Sequence, residues 1–254
     1  MQANLLYEVY EFRLQRSLDP GVLPRHIGVI LDGNRRWAKA FGSPASEGHR
    51  AGADKVLDFL QWADEVKTEV VTLWLLSTDN LSREPEEISE LLLIIRQLVT
   101  RLVETGRYRV KVVGDMTQLS PEFVKDVERE ASKTSELSGA MQVNIAVGYG
   151  GRQELVDAVR GVLKDAAREG RTIEDVAGTL SVNDITEHLY TKGQPDPELI
   201  IRTSGEQRLS GFLLWQSAHS EYYFCETFWP DFRKVDFLRA LRSYSQRERR
   251  LGNV

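Results

Sequence analysis

A chain of 254 residues can form one large α/β domain with a substantial core, or two small ones, and 41% hydrophobic with 28% charged residues excludes a disordered or fibrous protein. The net charge of −5 argues against broad nucleic-acid binding, so basic residues must act in local clusters. A single cysteine, Cys225, excludes an internal disulfide and fits a reducing, cytoplasmic compartment.

The N-terminus, MQANLLYEVYEF, lacks a basic leader followed by an apolar core, so no secretory signal is expected. Leu5 to Leu18 places apolar and charged residues at helical spacing until Pro20-Gly21. It reads as an accessory helix within residues 1–20, ahead of a single domain over 21–254. The longest strongly apolar run, Leu91 to Ile95, is far short of the ~18 residues that a membrane-spanning helix needs.

The stretch HIGVILDGNRRW, His26 to Trp37, comes next. Its apolar run Ile27 to Leu31 predicts a buried parallel strand, Gly33 and Asn34 a tight turn, and Arg35-Arg36-Trp37 a helix start. Strand ends of this kind are where α/β proteins place ligands. Arg35 and Arg36 there offer charge-assisted bonds to phosphate, and Asp32 offers the hard oxygen that Mg²⁺ takes when it bridges protein and phosphates. Taken singly, these residues are as easily a turn and a solvated helix face.

Phe41 to Gly48 is expected as a loop of small residues, with His49 opening a helix that runs to about Lys67 on the apolar stripe Val56, Phe59, Leu60, Ala63. Val70 to Leu76 predicts a second strand, closed by Ser77-Thr78-Asp79-Asn80. Pro85 opens a long helix whose apolar positions recur at three-and-four spacing. Arg109 to Gly114 predicts a third strand, and Ser120-Pro121-Glu122 an N-cap with proline at the first helical position, for a helix to about Ser138. Gln142 to Val147 predicts a fourth strand, turning through Gly148-Tyr149-Gly150-Gly151 into a helix, Arg152 to Arg168. GYGG is not a dinucleotide fingerprint, since the third glycine is missing.

Ser181 and Asp184 stand in a capping-box relation before a short helix ending by Tyr190. Leu199 to Ile201, a polar loop Arg202 to Ser210, a strand Gly211 to Gln216, an aromatic segment Tyr222 to Phe232 and a last helix Lys234 to Arg250 complete the chain. Alternating strands and helices predict an α/β single domain with a mostly parallel central sheet flanked by helices. GxSxG, HExxH and GxxxxGK[ST] are all absent, which removes the serine hydrolases, the HExxH metalloproteases and the P-loop kinases.

HIGVILDGNRRWAK resembles the signature of the cis-prenyltransferases, the undecaprenyl diphosphate synthase family, and the resemblance runs over nearly the whole chain. Arg202-Thr203-Ser204-Gly205-Glu206-Gln207-Arg208-Leu209-Ser210 is similar to that family's RTxGExRxS element, and Ser77, Asn80 and Arg83 to its SxxNxxR loop. The resemblance implies a hydrophobic tunnel along the Val70 strand and the Pro85 helix, Mg²⁺ as cofactor, and condensation of isopentenyl diphosphate with an allylic diphosphate. It assigns the allylic diphosphate to Asp32, Gly33, Asn34, Arg35, Arg36 and His49, with Trp37 beside them. Isopentenyl diphosphate falls to Arg202, Arg208 and Ser210, and substrate orientation with assistance to proton removal to Ser77, Asn80 and Arg83. Glu221 matches a second metal-associated carboxylate beside Asp32. Arg250 and Gly252 match an RxG element that reaches the partner's isopentenyl site in a homodimer.

Ala45 stands where long-chain members carry an arginine, and Gly148 where they carry asparagine. Both point to the short-chain branch that makes (2Z,6E)-farnesyl diphosphate from geranyl diphosphate. Leu75 replaces a small residue on the tunnel wall, so it is expected to stop growth at fifteen carbons, while Trp74 and Leu76 face away on an alternating strand. A core leucine with the tunnel determined elsewhere is the competing view of Leu75. A long-chain synthase and a non-catalytic isoprenoid-diphosphate-binding subunit are the alternatives to the short-chain enzyme. A lipid product leaves peripheral membrane contact of the N-terminal helix open.

Overall fold

The computed structural model describes residues 2–247, with side chains from residue 9 onward. Among them six parallel strands form one sheet: β1 (His26–Ile30), β2 (Val70–Ser77), β3 (Tyr108–Val113), β4 (Met141–Tyr149), β5 (Leu199–Arg202) and β6 (Glu221–Phe224). Their order across the sheet is β3-β4-β2-β1-β5-β6. From β1 the chain lays β2 beside it, forms β3 at the edge, inserts β4 between β2 and β3, then returns to the other side of β1 for β5 and β6. The order therefore reverses between β1 and β5. In open α/β sheets a ligand crevice opens at the carboxyl ends of the two strands flanking such a reversal.

Helices cover both faces, as the strand and helix alternation predicts. One face packs α3 (Ala45–Glu65), α4 (Pro85–Glu104), α5 (Pro121–Ser132) and α9 (Lys234–Gln246) over Val29, Val71, Leu73 and Ile145. Leu14 and Leu18, from α1 (Gln2–Ser17) and just past it, join the same core. The other face seats Phe212 and Leu213 over Trp74, Ala146 and Ile200. Beside that cluster α6 (Gly151–Arg168), α7 (Ile173–Thr179) and α8 (Val182–Thr186) form a smaller apolar core of their own. None of the helices among the described residues is long and apolar enough to cross a membrane.

Local chemistry places most boundaries. Ser120 Oγ accepts from the Phe123 amide at 3.3 Å with Pro121 at the first helical position, and Ser181 and Asp184 form a full capping box. Thr172 and Asp175 form the same box at α7, a helix the sequence analysis leaves out although its signal is of the same kind. The helix α3 begins at Ala45 rather than His49, because extended Pro44 serves as its N-cap. The helix α5 stops at Ser132 rather than near Ser138. Thr134 there turns the chain back, its hydroxyl donating to the Ala131 carbonyl and accepting from the Val110 amide of β3.

Two expectations near the end of the chain are corrected. Gly211 to Gln216 is a series of turns, not a strand, since Ser210, Gly211 and Leu213 have φ of 52°, 91° and 45°, outside the extended region. Phe212 is fully buried there, stacked on Trp74 with centroids 5.2 Å apart. The strand lies further on, at Glu221–Phe224, within what reads as a mere aromatic segment.

A buried polar chain crosses the sheet under β1. His26 donates from Nδ1 to the Pro195 carbonyl at 2.7 Å and accepts at Nε2 from the Thr72 hydroxyl at 2.8 Å, because a carbonyl can only accept. Asn144 donates to Thr72 Oγ1 at 2.9 Å and pairs with Gln194. Burial pushes the His26 imidazole down from 6.5 to about 4. The unfolded chain then binds a proton that the folded chain excludes between these values. Stability is complete above about pH 6.5 and falls by about 3 kcal/mol as the pH drops to 4. Urea melts across that range, on the native chain and on His26→Gln, check this, and a slope that survives the substitution contradicts it.

Candidate active site

A cavity of about 830 Å³ occupies the crevice at the carboxyl ends of β1, β2 and β5. Its walls are the segment after β1 with the start of α2 (Asn34–Ala40), the first turn of α3, the end of β2 with the turn beyond it, and the loop after β5. A second hollow between α3, α4 and α5 also carries arginines, but Arg96, Arg101 and Arg129 there are each paired within 3.1 Å to Asp126 or Asp54. The first cavity holds most of the predicted residues, from Asp32 to Arg36, His49, Leu75, Ser77, Asn80, Arg83, Arg202, Arg208 and Ser210.

Asp32 lines this cavity, about a third exposed. The Thr203 hydroxyl donates to the Asp32 carbonyl at 2.6 Å and accepts from its amide at 3.0 Å, which fixes the backbone. One carboxylate oxygen accepts from the Gly33 amide at 2.9 Å, and the other from Arg202 Nη2 at 2.8 Å. Gly33 has φ of 106°, and a Cβ there would lie 2.8 Å from the Phe228 ring, so no other residue fits the turn. The Arg202 side chain is only 5% exposed. It also donates to Ser210 Oγ at 2.9 Å and to the Arg208 carbonyl. The predicted isopentenyl trio is thereby tied to Asp32 across the β1/β5 reversal.

Two arginines and a histidine meet on the other side. Arg83 donates to Glu87 at 3.0 Å, and Arg35 Nε and His49 Nε2 lie 3.6 Å from the same oxygen. Burial, with Arg83 close by, pushes His49 down, so it is neutral at pH 7, and its Nε2 is buried without a hydrogen-bond partner. Arg36 donates to Ser204 Oγ at 2.6 Å and lies 3.7 Å from Asp32. Ser77 Oγ accepts from the Asn80 amide at 3.1 Å and shapes the turn that brings Ser77, Asn80 and Arg83 to the cavity.

The apolar wall is Ile30, Leu31, Ala45, Trp74 and Leu75. The pairing of β2 with β4 shifts register between Trp74 and Leu76 and again between Leu76 and Ser77. This bulge breaks the strict alternation expected of β2, because an extra residue re-aims its neighbours. Leu76 is therefore turned into the same core as Val71 and Leu73, while Trp74 keeps the opposite face and, against expectation, borders the cavity with Leu75. The apolar stripe of α4, expected to line a tunnel, belongs to that core and does not border this cavity.

Comparison with known proteins bears on this arrangement. The family model described as undecaprenyl diphosphate synthase matches residues 30–252. The chain belongs to this family, the cis-prenyltransferases. It is 60% identical to the (2Z,6E)-farnesyl diphosphate synthase of Thermobifida fusca over 97% of each chain. It is 49% identical to the short-chain Z-isoprenyl diphosphate synthase of Mycobacterium bovis, over 97% of this chain and 95% of that one. Its fold matches the crystal structure of lavandulyl diphosphate synthase from Lavandula x intermedia in complex with dimethylallyl diphosphate, with a TM-score of 0.81 and 31% identity. That match covers 89% of this chain and 97% of the other.

Some residues of the cis-prenyltransferase signature stand apart from the cavity. Trp37 does not reach it; one position past Arg36 on α2, its ring turns to Phe41, with centroids 4.9 Å apart. Asn34 borders the cavity, but its amide also packs against α3, where a Cβ at Gly52 would lie 2.4 Å from its Oδ1. Glu221 does not join Asp32 within one chain. It opens β6 level with Leu199 and Ile27, so about five residues, or roughly 16 Å, of strand direction separate the two carboxylates. Its carboxylate accepts from Arg247 there. Arg250 and Gly252 lie outside the described residues.

Two carboxylates that the sequence analysis gives no role hold the site's cations: Glu87, and Glu206, which contacts Arg36 and Arg208. The spacing of Arg83 and Glu87, four apart at a helix start, was a usable signal for the first.

Proposed function

We propose that this chain joins isopentenyl diphosphate to geranyl diphosphate in Z geometry, giving (2Z,6E)-farnesyl diphosphate and free diphosphate. The observation that carries the reading is two groups of phosphate-binding cations on opposite sides of Asp32 in one cavity with an apolar wall. Arg35, Arg36, Arg83 and His49 hold the allylic diphosphate, and His49 Nε2 gains there the partner it lacks. Arg202, Arg208 and Ser210 hold isopentenyl diphosphate. Fixed cations favour the diphosphate as it departs and the allylic carbon becomes cationic. The carbon–oxygen bond of the donor breaks, the isopentenyl double bond supplies the electrons of the new carbon–carbon bond, and a proton leaves the adjacent carbon. Ser77 and Asn80 orient the reacting chains.

Mg²⁺ fits this donor set. Asp32 presents a partly exposed carboxylate into the cavity, no group of three or more metal-ligating side chains exists among the described residues, and Mg²⁺ is commonly bound by one or two carboxylates plus substrate phosphates. When bound, it neutralises the charge that develops on the leaving diphosphate. Asp32 is the residue of this chain that would hold it.

A homodimer is supported by the apolar side chains Val156, Val159 and Leu163, exposed one turn apart along α6. The short-chain product is supported by Leu75 and Trp74 together closing the wall.

The test incubates purified protein and Mg²⁺ with isopentenyl diphosphate and dimethylallyl, geranyl or farnesyl diphosphate in turn. A fifteen-carbon Z product made best from geranyl diphosphate is the expected result. Products near fifty carbons would replace the short-chain reading with a long-chain one, and no product with any donor would leave a binding subunit.

A further inference from the structure

We propose that Glu206 couples the two diphosphate subsites, as a counter-ion shared by one arginine of each. This rests on the assignment above of Arg36 to the allylic diphosphate and Arg208 to isopentenyl diphosphate. Glu206 Oε1 lies 3.3 Å from Arg36 Nη1, and Glu206 Oε2 accepts from Arg208 Nη1 at 2.5 Å. The side chain is only 26% exposed. Ser204 and Gly205 are both left-handed, with φ of 72° and 74°, and this double turn carries Glu206 to a position between the two arginines. The same turn docks Arg36, since Ser204 Oγ accepts its second nitrogen.

One carboxylate cannot serve both arginines and stay indifferent to what either binds. An incoming diphosphate is a stronger, multiply charged partner, and it draws its arginine off Glu206. The carboxylate charge then falls on the remaining arginine alone. That arginine is held more firmly and is less available to the second diphosphate. Occupancy of either subsite therefore weakens the other beyond the direct repulsion of the two anions, and by the same factor in both directions. In the empty site Glu206 also keeps the two guanidinium groups from repelling each other out of position.

Glu206→Gln keeps the shape and removes the charge. Calorimetry would measure isopentenyl diphosphate binding to the native chain and to this variant with Mg²⁺, alone and with saturating geranyl thiolodiphosphate, an unreactive donor analogue. The variant is expected to bind isopentenyl diphosphate alone about fivefold more tightly, because Arg208 is no longer neutralised. The penalty imposed by the donor analogue is expected to shrink about fivefold relative to the native chain. Glu206→Asp, which keeps the charge, retains the penalty. Weaker binding by Glu206→Gln, or an unchanged penalty, overturns the coupling and leaves Glu206 a support of its loop. A native chain that binds neither diphosphate and forms no product overturns the functional reading instead, and the coupling with it.

Discussion

Turnover by Asp32→Asn is expected to fall by about 1,000-fold, with a smaller change in the concentration of isopentenyl diphosphate giving half-maximal rate. The amide can still accept from the Gly33 amide, so the turn survives. What is lost is the charge that borders the cavity, and with it the anion facing Arg202 and the carboxylate that would hold Mg²⁺ under the proposed function. Because Arg202 is buried and Asp32 only partly exposed, the empty variant should also lose about 2 kcal/mol of stability, less than a fully buried pair would cost. A bound diphosphate supplies a replacement anion. The melting temperature of the variant should therefore approach that of the native chain at saturating isopentenyl diphosphate. Steady-state kinetics and melts with and without the ligand measure both effects. Near-native turnover would remove Asp32 from the chemistry, and a stability deficit that persists with ligand would mean that Asp32 supports the fold independently of the anion site.

Leu75→Ala should lengthen the product. The side chain lies at the bulge in β2 and borders the cavity, so shortening it opens the wall rather than a sealed core void. The substitution removes three carbons, whereas each condensation adds five. A twenty-carbon product is therefore expected as a substantial fraction, not a shift to long polyprenyl chains. Stability should fall by about 1–2 kcal/mol, below the usual core value because Leu75 is only partly buried. Product chromatography from geranyl diphosphate reads the outcome, and an unchanged fifteen-carbon product assigns the limit elsewhere on the wall. Trp74 is the next candidate. Its indole donates to the Tyr149 carbonyl at 3.3 Å and stacks on Phe212, so removing it costs more stability than removing Leu75.

Sequence by itself determined the parts that local chemistry encodes. The uninterrupted apolar run before Asp32 specifies a strand buried on both faces, and all five residues of β1 are buried. Ser120-Pro121 and the Ser181/Asp184 pair each start a helix through contacts within four residues. The residues that carry the family resemblance, from Asp32 to Arg36 and from Arg202 to Ser210, line or frame one cavity.

Tertiary structure decided what depends on residues far apart in the chain. Gly211 to Gln216 is apolar enough for a strand, yet its packing against Trp74 and Tyr149 bends it into turns. The bulge that turns Leu76 into the core beside Leu73 arises from the mismatch of β2 with β4, which neither strand shows alone. Glu221 has the residue type of a metal ligand, but the register of β6 on β5 puts it at the far edge of the sheet. Most of all, the pairing of Asp32 with Arg202 and of Arg36 with Glu206 joins residues 170 positions apart. Spacing along a chain fixes which neighbours share a helix face or a strand. Charges brought together across the reversal between β1 and β5 meet only once the sheet has assembled.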